Sequence, residues 1–210
     1  VASRMSRGEG VGPVIKLAGQ LGGALALVLL VASLVGSRWF TDEFFSGETT
    51  LFIGLLLVVA GLGTAHLVKG TLAGLGRFNG YARYVIGEGV GRLLLVSAVL
   101  LFTTKNIGAY GLAIGFAPFL GIFVATFKQK EVFTPGPKAK IGDLSRALGS
   151  LLAASVATAL VLNASPLAVQ ILATDQQADE SGKFLNALLV ARVPLFFFQA
   201  IQAALLPRLS

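Results

Sequence analysis

Six stretches of this chain are long and apolar enough to cross a bilayer, roughly 14–36, 49–68, 84–103, 107–127, 149–173 and 184–206. A helix spanning the hydrocarbon core needs about 20 predominantly apolar residues. In hydrocarbon every backbone polar group must be satisfied within the protein, which leaves helices or closed barrels. Continuous apolar runs of this length read as helices, so the expected fold is all-α, a polytopic membrane helical bundle. Composition agrees. Hydrophobic residues make up 55% of the 210 and charged ones only 13%, against about a quarter charged in an ordinary soluble domain.

The connections set an expected orientation, because Lys and Arg accumulate on the cytoplasmic side. One alternating set carries Arg4, Arg7, Lys16, Lys69, Arg77, Arg83, Lys128, Lys130, Lys138, Lys140, Arg146 and Arg208. The other carries only Arg38, Lys105 and Lys183, beside Asp42, Glu43, Glu48, Asp175, Asp179 and Glu180. The N-terminal side is therefore expected in the cytoplasm. The net charge of +7 is first a topology signal, and no nucleic-acid partner is expected. The longest basic connection, KQKEVFTPGPKAKIGDLSRA over 128–147, contains Pro135-Gly136-Pro137, which cannot continue a helix. It divides residues 1–127, with four spans, from 149–210, with two, leaving 128–148 as a linker. Asp143 is its expected N-cap to the fifth span. Trp39, Phe40, Phe44 and Phe45 read as an interfacial aromatic belt.

Glu88, Arg92 and Arg192 are the charges that fall well inside spans. Each costs about 2.5–3.5 kcal/mol at a helix centre on insertion scales, so such groups face a bundle interior or a watery cavity. Glu88 and Arg92 are four apart in the favourable order for a pair on one helix face. They share a sector with Gly80, Tyr84, Gly87, Gly91 and Leu95, and Gly87 and Gly91 have the G-x-x-x-G spacing of closely packed membrane helices. The pair either pins the bundle or lines a cavity. Arg192 has no acidic residue three or four positions away and needs water, a carboxylate from another helix such as Glu88, or an anionic ligand. Pro194 beside it favours a kink. Asn163 and Gln170, around Pro166, and Gln199 are softer candidates, suited to cavity lining or to interhelical hydrogen bonds.

There are no cysteines and a single histidine, His66, so no metal site is expected. No phosphate-binding G-x-x-x-x-G-K-[ST] loop, H-E-x-x-H motif or Ser–His arrangement is present. Neither an enzyme nor a cofactor is expected. The chain starts at Val1 without a methionine and reads as an internal piece of a longer protein.

The stretch HLVKGTLAGLGRFNGYARYVIGEGVGRLLLV, residues 66–96, resembles the inner loop and following helix of bacterial polysaccharide flippases of the O-antigen and capsule type. That superfamily also holds multidrug extruders and the lipid II flippase. NIGAYGLAIGFAPFLGIF is similar to the family's next helix, and SGKFLNALLVARVPLFFFQAIQAALLPRLS to its eighth. The resemblance implies that these spans are the third to eighth of a longer transporter. Two helical lobes would then enclose a cavity that opens alternately across the bilayer. The implied cargo is a polyprenyl-diphosphate-linked oligosaccharide, with Arg192 and Arg92 neutralising the diphosphate and Glu88 poising Arg92. Membrane lipids and polysaccharide-assembly proteins are the implied partners. The alternatives are a cation or multidrug extruder on the same architecture, a lipid II flippase, and a non-transporting membrane scaffold. The absence of cysteines makes the expected orientation easy to test. A cysteine introduced at Glu48 should react with an impermeant maleimide on intact cells, and one at Lys138 only after permeabilisation; the reverse pattern inverts the topology.

Overall fold

The computed structural model describes residues 7–103, 106–127, 129, 134–138, 141–174, 177–195 and 197–198. Six helices account for most of them: α1 (Gly12–Val35), α2 (Thr49–Gly74), α3 (Phe78–Phe102), α4 (Ile107–Thr126), α5 (Ile141–Leu172) and α6 (Ala178–Ala191). Five of the helices, α1 to α5, have the length and hydropathy of membrane spans. The protein is an all-α, multi-pass membrane protein. The sixth expected span, 184–206, is described only in part. Helix α6 begins earlier and ends at Ala191, while residues 196 and 199–210 lie outside the described residues.

The chain divides into two compact units, Val1–Ile141 and Gly142–Ser210. In the first, α4 packs along both α2 and α3, and α1 lies against α2. With no hydrophobic drive between helices in lipid, close van der Waals packing takes its place, and small residues permit it. Helices α2 and α4 meet backbone to backbone. A Cβ on Gly54 would lie 2.7 Å from the Gly111 carbonyl oxygen, and one on Gly115 2.9 Å from the Gly54 carbonyl oxygen. Gly61 faces Pro118, which is fully buried. The expected Gly87/Gly91 pair does face a neighbour, but as holes for side chains: Val124 of α4 fills the first and Leu120 the second. Ala65, Leu72, Tyr84 and Ala125 form the core at one end of this bundle, flanked by Val68, Tyr81 and Ile122. Large apolar side chains elsewhere point outward, such as Leu93 and Leu94 of α3 and Phe123 of α4, as a lipid-facing surface requires.

Helix ends explain the connections. Helix α2 stops in a Schellman motif, with Gly76 at φ 66°. The Arg77 N–H reaches the Leu72 carbonyl at 2.8 Å and the Gly76 N–H the Ala73 carbonyl at 3.0 Å. Asn106 caps α4, its side-chain oxygen accepting from the Ala109 N–H at 3.1 Å. Ahead of α1, the Val11 N–H donates to Thr134 Oγ1 at 3.1 Å and the Gly12 N–H to the Thr134 carbonyl at 2.9 Å. The loop after α4 thus closes the free donors that begin α1. Trp39, Phe40 and Phe44 cluster on a short helix and π-turn after α1, with ring centroids 5.0–5.9 Å apart. One local expectation is corrected. Helix α5 starts at Ile141, so Asp143 lies inside its first turn and is not the N-cap, because the 141–148 segment continues the long helix.

The glycine contacts give a paired prediction. Gly54→Ala should lower stability in detergent by about 1–3 kcal/mol through overpacking. Gly89→Ala, with nothing within 4 Å of the added carbon, should be neutral or stabilising by up to about 1 kcal/mol. Thermal unfolding of the two variants side by side checks this, and equal losses would overturn the assigned α2–α4 contact.

Candidate functional site

Polar side chains inside an apolar helix must find a partner, and the nearest is the carbonyl one turn back. Several in-span polar groups here take it. Ser33 bonds the Leu29 carbonyl, Thr64 that of Ala60, Thr126 that of Ile122 and Thr158 that of Ala154. His66 Nδ1 lies 2.7 Å from the Leu62 carbonyl; since a carbonyl only accepts, Nδ1 carries the proton in that contact. Asn163, a candidate for cavity lining, donates from Nδ2 to Ala159 at 2.8 Å in its own helix. Its exposed side chain is thereby satisfied locally. The Gln170 side chain and all of Gln199 lie outside the described residues.

The ionised groups are satisfied differently. Arg92 Nη2 lies 2.8 Å from Glu88 Oε1, one turn away on α3. The pairing that the spacing implied is formed. Glu88 keeps 19% of its side-chain surface exposed and Arg92 48%, so the carboxylate sits at the packed edge of the helix and the guanidinium reaches outward. What places the carboxylate is α4: a Cβ on Gly121 would come within 3.0 Å of both Glu88 Cβ and a Tyr84 ring carbon. Any side chain at position 121 would push this edge of α3 away.

Two residues join this pair that charge counting along one helix missed. Tyr84, one turn before Glu88, is 1% exposed, with its hydroxyl buried. Lys69 of α2 places its ammonium 5.1 Å from the centroid of the Tyr84 ring, a cation–π contact worth about 0.5–2 kcal/mol. Tyr84 does lie on the same wheel sector as Glu88, but only packing reveals that its ring is buried and that a cation from α2 covers it. Together Lys69, Tyr84, Glu88 and Arg92 form a polar ridge with two cations and one carboxylate, which suits an anion better than a cation.

Arg192 belongs to the second unit. It caps α6, and its Nη2 donates to the Leu162 carbonyl of α5. Of the partners expected for it, water, a carboxylate or an anion, this bond is none; it is to the backbone of the neighbouring helix. Two clefts, of about 470 and 360 Å³, have linings that do not include Glu88, Arg92 or Arg192. One is lined by Leu75, Arg77 and Thr134, the other by Val169, Gln177 and Phe184. No metal-ligating cluster of His, Asp and Glu occurs among the described residues. No family model, curated protein or solved structure matches the chain.

Removing one member of the α3 pair should cost more than removing both. Glu88→Ala leaves the Arg92 guanidinium without its carboxylate, and membrane insertion of α3 should weaken by on the order of 2–3 kcal/mol. Glu88→Ala combined with Arg92→Leu should restore it. Glycosylation-site mapping of insertion reads both, and an additive double variant would show the pair to be uncoupled.

Proposed function

We propose that this chain is part of a membrane transporter that flips a polyprenyl-diphosphate-linked oligosaccharide across the bacterial cytoplasmic membrane by alternating access, for export of cell-surface polysaccharide. The observation that carries the reading is Arg92. It is a guanidinium within an apolar helix, anchored by one carboxylate through one nitrogen, with half of its side-chain surface open. Guanidinium donors bind phosphate oxygens in parallel, and such charge-assisted bonds are about twice as strong as neutral ones. Arg192, which retains donors beyond the one held by Leu162, is the second candidate for the diphosphate. The resemblance of residues 66–96 to the polysaccharide flippases supports the cargo, and the alternation of basic connections supports an N-terminal side in the cytoplasm. Gly residues in α2 and α4, with Pro118 in α4, supply the close packing on which alternating access would draw.

Binding decides the reading. The full-length protein in nanodiscs should bind a polyprenyl-diphosphate oligosaccharide, and Arg92→Gln should weaken that binding about tenfold to a hundredfold, as loss of a charge-assisted contact of about 1.5–3 kcal/mol requires. A lipophilic cation serves as control. Binding of the cation with no affinity for the diphosphate would replace this reading with a cation extruder, and binding of neither would leave a membrane scaffold.

A further inference from the structure

Pro166 lies inside α5. Proline has no N–H, so the carbonyl four residues earlier loses its helical donor, and the ring also crowds that carbonyl. Here the residue is Leu162. A helix interrupted in this way is a weak point where bending is easy. In hydrocarbon no water is at hand to complete the bare carbonyl, which raises the cost of leaving it unmade.

The missing donor comes from another helix. Arg192 Nη2 donates to the Leu162 carbonyl oxygen. The polar side chains that flank this point do not compete for it, since Asn163 bonds Ala159 and Thr158 bonds Ala154. Arg192 itself sits where α6 ends, its backbone N–H directed to the Leu188 and Leu189 carbonyls at 3.1 and 3.3 Å. The guanidinium is therefore carried by the terminus of α6, and Leu162, Pro166 and Arg192 are all half-buried. An unpaired arginine on one helix and an unpaired carbonyl on the next resolve each other.

We propose that Arg192 is a latch on a proline hinge: α5 is stiff at Pro166 while the α6 guanidinium occupies the Leu162 carbonyl, and free to bend when α6 withdraws it. The position of α6 thereby controls the shape of α5. A charged donor suits the role, because its bond to a carbonyl is stronger than a neutral one. The latch does not depend on the identity of any cargo.

The test uses the full-length protein in nanodiscs. The chain has no cysteines, so introduced ones are labelled without a competing thiol from residues 1–210. Spin labels on cysteines at Val156 and Ile171, both exposed and on opposite sides of Pro166, stand about 22 Å apart along a helix rising about 1.5 Å per residue. Their distance distribution reads the bend. It should be narrow in the otherwise native protein, broad with Arg192→Leu, and narrow again when Pro166→Ala is added, because alanine returns the N–H that Leu162 lacks. The melting temperature lost on Arg192→Leu should likewise be recovered in the Pro166→Ala background. A role in general packing or in charge balance would give no such rescue. Equal broadening with and without Pro166, or no broadening on Arg192→Leu, would overturn the latch. Should Arg192→Leu fail to insert, Arg192→Lys keeps the charge but loses the fork; it should broaden the distribution and be rescued in the same way, and the same two contrary results would overturn the proposal.

Discussion

Hydrocarbon offers no hydrogen bonds, and most of this structure follows from that one fact. Each backbone donor and acceptor has to be closed inside the protein. The consequence is visible at every scale: long helices, a Schellman turn at Gly76, an Asn106 cap, and Thr134 closing the start of α1. Side chains obey the same rule. Ser33, Thr64, His66, Thr126, Thr158 and Asn163 all turn back to a carbonyl of their own helix. Each of these side chains thus finds a partner within its own helix.

The ionised groups take other partners. Glu88 and Arg92 complete one another within α3, while Arg192 completes the backbone of α5. The two arginines thus illustrate two physical solutions to a guanidinium carried on an apolar helix. A carboxylate neutralises the first and leaves half of its surface open. A carbonyl made available by a proline orders the second without neutralising it. Either arrangement keeps guanidinium donors in reserve.

Helix packing decides where the first of these charges can stand. Because lipid does not drive helices together, α4 holds α2 and α3 by glycine contacts and interlocking side chains. Gly54, Gly111 and Gly115 bring two backbones into contact; Gly87, Gly91 and Gly121 admit side chains of the opposing helix or yield room to them. Glu88 is held at the edge of that packed zone, and Arg92 falls just beyond it. Tyr84, sealed in the core beneath the Lys69 ammonium, extends the polar ridge toward α2.

The all-α class, five of the spans and the Glu88–Arg92 pair were legible in the sequence, because each depends on spacing along one helix: hydropathy over about 20 residues, or an i,i+4 separation. Asn163 shows what such a reading leaves open, since a polar residue in an apolar run signals a need for a partner but not whether the helix itself supplies one, as Ala159 does here. The α2–α4 glycine contact was written in G-x-x-x-G form at Gly111 and Gly115, yet the choice of α2 as the partner is not a property of α4. Likewise Pro166 marks Leu162 as short of a donor from spacing alone, and Arg192 is visibly without an acid nearby. That these two deficits meet depends on how α5 and α6 turn against one another. The sequence by itself determined which groups are in need; the tertiary structure decided which of them answer each other, because that matching runs through distances between helices that no periodicity along the chain contains.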